Sequence, residues 1–359
     1  MKYSALLCSF LFLAGSLFAG DLWCDYEGGD GPGQGKKIVL VSGDEEYRSE
    51  EALPMLGKIL AVHHGFDCRV IFPIDADTGI IDPKNQKNLP GLEALEDAEL
   101  MIIATRFRQP PDEQMKHIDD YLKRGGAVLG MRTATHGFNM SGGKYVHYKN
   151  GFNPGDDAEK ATWKGGFGRL VLGEKWISHH GSHKNESCLG IIAEDAAEHP
   201  IVRGLKPGSV WGPSDVYGVR LPLPGDSMPL VLGAVVKRKG AKDANDPYFG
   251  MRPSDHELVA GKKNDPMMPV AWTKSYTLPG GKNGQVFNTT MGAATDLVAE
   301  GSRRMVVNAV YHLTGLEVPE GGTKVDIVGE FEPTAYGFGT FQKGLKPDDF
   351  ALKVPAETK

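Results

Sequence analysis

The chain has 359 residues, 40% of them hydrophobic and 24% charged. That profile fits a globular protein of one large or two smaller domains and excludes wholesale disorder. Lys plus Arg number 40 against 46 Asp plus Glu, a net charge of −6. No basic stripe interrupts the sequence, which argues against nucleic acid as the main partner.

Taken in chain order, residues 1–19 read as a signal peptide. Lys2 precedes an apolar run from Ala5 to Ala19, with a small residue at Ala19 for cleavage. The run is too short to span a bilayer. The expectation is an exported protein, periplasmic or extracellular, with no stable membrane span after cleavage. Cys8 leaves with the signal, so Cys24, Cys68 and Cys188 allow at most one internal disulfide. Cys68 and Cys188 sit in strand-like runs and read as small buried apolar groups. No CxxC occurs, which removes a thiolate zinc site. Residues 20–36 are Gly-rich and read as a linker. Their glycines precede the first strand, so they cannot form a dinucleotide-binding turn.

From Lys37 the pattern becomes α/β. Ile38–Val41 is a continuous apolar run, as in a strand buried on both faces. A helix follows with Leu53, Leu56, Ile59 and Leu60 on one face and Gly65 at its end. Cys68–Ile74 and Leu100–Thr105 are the next strands. Asp112 is placed to cap a helix carrying Met115, Ile118 and Leu122, and Ala127–Met131 is the fourth strand. This alternation predicts right-handed βαβ units and an open parallel sheet. Beyond Arg132 the chain loosens. Strand-like runs return at Gly190–Ala193, Val216–Val219, Leu230–Val236, Met268–Trp272 and Gln285–Thr290. Lys237–Pro266 reads as an insertion loop. A last helix is expected over Leu297–Leu313, and the tail from Glu317 as an irregular strap.

In such a sheet, ligands collect at the carboxyl ends of the strands. Four loops qualify: Ser42–Tyr47 with Asp44, Glu46 and Tyr47, Thr105–Arg108 with Arg106, Gly130–His136 with Arg132 and His136, and Asn288–Asp296. Acids and arginines gathered there suit an anionic or polyhydroxylated ligand. The run ISHHGSH supplies His179, His180 and His183. Gly181 would bend the chain so that His180 and His183 converge, and imidazoles suit zinc or a similar divalent metal. Nothing in the sequence requires a cofactor. Trp211, Tyr217 and Trp272 add rings of the kind that stack on sugar faces.

The runs IVLVSGDEEYRSEEALP, GMRTATH, HPIVRGL, PSDVYGV, MPVAWTKSY and QVFNTTMG together resemble the trehalose-utilisation (ThuA-like) family. The resemblance covers residues 37–315 and leaves 316–359 as a C-terminal extension. It implies a flavodoxin-like, class I glutamine amidotransferase-like α/β fold, an open parallel sheet with helices on both faces, and a role in carbohydrate metabolism. The amidotransferase nucleophile, a Cys at the third position of the strand-four elbow, is replaced here by Arg132. A guanidinium stays protonated and cannot attack, so glutamine hydrolysis through a thioester is excluded. Relatives often carry His at the elbow and after the late Thr-Thr-x-Gly turn, where this chain has Arg132 and Ala293.

The leading expectation is an enzyme acting on a sugar or oxidised disaccharide by acid–base chemistry, either hydrolysis or isomerisation. Glu46, Asp215 and His180 are the proton-transfer candidates. Arg132 is the central orienting group, held by an acid of the Ser42–Tyr47 loop. Asp44, Tyr47, Arg106, His136, Trp211, Tyr217, Trp272 and Asp296 would line the substrate. Two alternatives stand beside it: a non-catalytic carbohydrate-binding or complex-forming protein, and a metal-dependent hydrolase built on His179, His180 and His183.

Overall fold

A computed structural model describes residues 22–352; the signal-peptide segment lies outside them. An unexpected β1 (Trp23–Tyr26) precedes the expected elements, which appear in order: β2 (Lys37–Gly43), α1 (Ser49–His64), β3 (Asp67–Ile71), β4 (Leu100–Thr105), α2 (Asp112–Lys123) and β5 (Ala127–Met131). After a long irregular stretch come β6 (Glu186–Ile192), β7 (Trp211–Gly212), β8 (Met228–Lys237), β9 (Met268–Thr277), β10 (Asn283–Thr289) and α3 (Glu300–Leu313). They form one ten-stranded open sheet in the order β1-β3-β2-β4-β5-β10-β9-β8-β6-β7. The run from β3 to β10 is parallel, as the βαβ pattern requires. Beyond β10 the connections are hairpin-like and the strands run antiparallel.

The two faces divide the apolar residues by strand period. Ile38 and Leu40 point to the face covered by α1 and α3, with Leu53, Leu56, Met305 and Val306. Val39 and Val41 point to the other, with Met115, Ile118 and Leu122 of α2. Helices therefore cover both faces, the α/β arrangement expected from the sequence. Cys24, Cys68 and Cys188 are buried and unbridged.

Three expectations need correction. The Gly-rich segment before Lys37 is no loose linker: β1 adds an antiparallel edge to β3. Its glycines lie against the end of α1, where a Cβ on Gly28 would sit 2.3 Å from the Gly65 carbonyl oxygen. The run Val216–Val219 forms only a single bridge, His179 with Tyr217. The last helix is split, because Ala299 adopts an extended conformation between a short turn, Ala294–Val298, and α3.

Register decides where chemistry can gather. Gly43 lies beside Thr105, and Thr289 beside Met131, so four loops leave the sheet at one edge. No described helix is long and apolar enough to cross a membrane.

Candidate active site

Arg132 stands at the elbow after β5 with φ 45°, a left-handed conformation that a non-glycine residue adopts only under constraint. Its amide donates to the Met291 carbonyl. Gly130, two residues earlier, has no room for a side chain: a Cβ there would lie 2.4 Å from Asn288 Oδ1. This packing turns the Arg132 side chain inward, where it is 1% exposed. Its guanidinium lies between the rings of Tyr47 and Tyr217, 4.3 and 3.8 Å from their centroids. It donates to the carbonyls of Asp215 and Thr290, to the Tyr47 hydroxyl and to Asp215 Oδ1 at 3.0 Å. The acid that holds Arg132 is thus Asp215, not an acid of the Ser42–Tyr47 loop. Buried on all sides, Arg132 fixes Asp215 and presents nothing to a ligand.

Asp215 is the hub. His179 Nδ1 donates to its Oδ2 at 2.8 Å, and His183 Nδ1 to its Oδ1 at 3.3 Å. Burial alone would raise this carboxyl. The two imidazole hydrogen bonds and the Arg132 charge outweigh burial and hold it well below the usual carboxylate range. An ionised Asp215 accepts only, so both imidazoles carry their proton on Nδ1. His183 Nε2 then faces Glu46 Oε1 at 3.4 Å. Burial, with the neighbouring Asp44 charge, pushes the Glu46 carboxyl up to about 7, against the pull of Arg106, Arg132 and His179. The result is a chain of carboxyl, imidazole and carboxylate, whose two acids have been driven to opposite ends of the scale.

The loop after β2 owes its shape to Asp44, which is buried and accepts from the Glu46 and Tyr47 amides and from Thr133 Oγ1. Glu45, not singled out from the sequence, pairs with both Arg106 and Arg108 at 2.5 and 2.6 Å. Arg106 also approaches Glu46 at 3.6 Å. His136 is buried against Phe107, Trp176 and Tyr217, and burial with the Arg106 and Arg132 charges keeps it neutral.

Several expected site residues lie elsewhere or do other work. His180 turns away, its Nε2 meeting the Lys263 carbonyl, because the chain bends just after the single His179–Tyr217 bridge. The convergent pair is His179 and His183, with Asp215 in the place expected for His180. Trp272 is a core residue whose Nε1 donates to the Leu172 carbonyl. Trp211 is buried against Tyr248, and Tyr217 is covered by Arg132. None of the three rings offers a face to a sugar. Asp296 is fully buried and braces the loop after β10, accepting from Ser214, Gly292 and Ala293.

The aromatic groups that do border the site are Phe107, Trp176 and two rings of the tail, Tyr336 and Phe338. Tyr336 lies on Tyr47 with centroids 5.1 Å apart and beside His183 at 5.4 Å. The tail motif YGFGTF, the loop TRFR and the run EKWISHH carry these rings in plain view, but only the fold brings them together. A separate cleft of about 600 Å³, lined by Lys37, Asp67, Arg69, Glu93 and Asp97 among others, opens at the amino ends of β2 and β3, away from this constellation.

No family model matches the chain, and no curated protein matches it. Among solved structures, the chain is similar to a ThuA-like protein of Bacteroides uniformis ATCC 8492, at 14% identity and TM-score 0.44, over 79% of this chain and 93% of that one. It is also similar to a ThuA-like protein of Parabacteroides merdae ATCC 43184, at 13% identity and TM-score 0.43, over 84% and 97%.

Proposed function

We propose that the chain is an exported enzyme that acts on a sugar or oxidised disaccharide by proton transfer, in hydrolysis or isomerisation. The observation that carries this reading is the Glu46–His183–Asp215 chain, with His179 on the same carboxylate. Glu46 at about 7 can give or take a proton near neutrality, which is where a general acid or base works best. The His179 side chain is 39% exposed. Asp215 orients its ring, so His179 meets the ligand as the second proton-transfer group. Asp215 is fully buried and serves as the orienting charge rather than a nucleophile. Arg106, half-buried beside Glu46, suits a ligand hydroxyl or carbonyl oxygen. The motifs that resemble the ThuA-like family support a carbohydrate as the substrate class, and the apolar run before Ala19 supports export.

The test is turnover of disaccharides and their 3-keto forms by the purified protein. Glu46→Gln is expected to lower kcat by about 10²- to 10⁴-fold and to erase the limb of the pH–rate profile near 7. Parent-like turnover by Glu46→Gln, or no turnover of any such sugar, rejects the reading.

One observation favours a second reading. One donor atom from each of His179, His183 and Asp215 lies within 4.8 Å of the others. Two imidazoles and a carboxylate are a set that holds zinc with a position left for water. Against it, the Arg132 guanidinium already occupies Asp215 Oδ1 and sets a fixed positive charge beside the would-be cation. Protein purified without chelator is therefore expected to hold far less than one equivalent of zinc by elemental analysis. Near-stoichiometric zinc that disappears in His183→Ala would place the metal-dependent hydrolase first.

A further inference from the structure

The tail beyond residue 315 shares none of the motifs behind the carbohydrate reading, yet it is fastened onto the site. Arg48, fully buried with φ 61°, is the fastener. Its guanidinium donates to Thr334 Oγ1, to the carbonyls of Ala335 and Gly337 and to the Thr340 hydroxyl. It also reaches back to the carbonyls of Glu45 and Glu46. The Gly337 amide donates to the Glu46 carbonyl at 2.8 Å. Thr334 is held in addition by Glu51.

This fastening sets one side chain in an unusual place. Phe338 is 58% exposed, the most exposed of the described large apolar side chains. One face of its ring meets the Arg106 guanidinium at 4.8 Å, and Phe107 lies at 4.7 Å from the same group. Arg106 is in turn paired with Glu45 and Glu46. An aromatic ring has been fixed at the mouth of a charged site, with its outer part in water, instead of being turned into the nearby apolar cluster that takes Tyr336.

We propose that Phe338 is the stacking wall of the substrate site and selects a pyranose ring. A pyranose has an apolar face of axial C–H groups and an edge of hydroxyls. An exposed aromatic wall beside an arginine that is itself paired with two carboxylates matches both. Arg48 is a positioning residue: it holds the strap that holds the ring. The inference rests on the sugar reading of the Glu46 site and adds the residue that chooses the ring.

Calorimetric titration with trehalose, maltose and cellobiose, and with their 3-keto forms, tests it, with sorbitol as an open-chain polyol that has no pyranose face. Phe338→Ala is expected to weaken the Kd of the bound disaccharide about tenfold, the scale of one aromatic contact. Phe338→Trp is expected to keep parent affinity. Sorbitol binding, if any, should not change in either variant, and Glu46→Gln should still bind the disaccharide while turnover falls. If Phe338→Ala binds as the parent does, or if Trp fails to restore affinity, the stacking role is overturned while the proton-transfer reading stands. A parent that binds none of these disaccharides overturns both.

Discussion

Asp215→Asn is expected to cost about 3–5 kcal/mol of unfolding free energy, as breaking a buried ion pair from one side does. Arg132 is 1% exposed and Asp215 is its only charged hydrogen-bond partner among the described residues. The two tyrosine rings and two carbonyls around it would remain, but none carries a full negative charge. The amide also offers one acceptor where the carboxylate offers two, so one of His179 and His183 would lose its acceptor. Denaturant unfolding at neutral pH measures the loss. Arg132→Met is expected to destabilise for the mirror reason, by leaving Asp215 buried with only imidazole partners. The double variant should fall short of the sum of the two, because each single change already breaks the same pair. Additive losses, or a single loss below about 1 kcal/mol, would mean that the pair is not the hub described.

Glu50→Gln is expected to act in the opposite direction. Glu50 sits in the first turn of α1, 2% exposed, and neither of its carboxyl oxygens has a hydrogen-bond partner among the described residues. Burial, reinforced by the Glu51 charge, pushes its carboxyl up to about 8, although its own backbone amide and Arg48 pull the other way. The folded chain therefore keeps this proton where the unfolded chain, with the ordinary value of 4.5, has released it. Between those two values the native state binds more protons, so stability falls as pH rises. The parent is fully relieved of the penalty below 4.5 and carries all of it above 8. Glu50→Gln should match the parent at pH 4 and exceed it by about 5 kcal/mol at pH 9, since each tenfold change in proton affinity is worth about 1.4 kcal/mol. Glu46, with its milder rise, affects parent and variant alike and drops out of the difference. Parallel stability–pH curves for the two proteins would show that Glu50 is solvated or paired.

The parallel half of the fold is readable because its apolar runs are short, continuous and separated by capped helices. Leu100–Thr105 and Ala127–Met131 coincide with β4 and β5. The loops that carry Asp44, Arg106 and Arg132 are readable in the same way, since the rule about strand ends needs only strand order. Side-chain direction is not readable in this way. His179 and His180 are neighbours in sequence and differ only in which way the backbone turns each ring. Trp272 and Phe338 are both aromatic, and their spacing does not say that one fills the core and the other faces water. Arg132 is recognisable as the residue at the elbow, but its partner lies 83 positions away in a stretch with no regular period. Pairings of that span depend on how loops fold over the sheet edge, which hydrophobic periodicity does not report.

The strap also bears on when the site comes into being. Arg48 and Ala335 are joined across 287 positions, and the Gly337–Glu46 link spans slightly more. Contacts of such separation close very long loops, whose entropy must be met before the contact is gained, and form late in folding. Until the tail has docked, β2 to β5 and the loop carrying Glu46 stand without residue 338. On the proposed reading, Glu46 and the imidazoles would then lack their aromatic wall. Substrate selection would arrive only when the end of the chain folds back onto its beginning, and a protease that trims the tail would remove it.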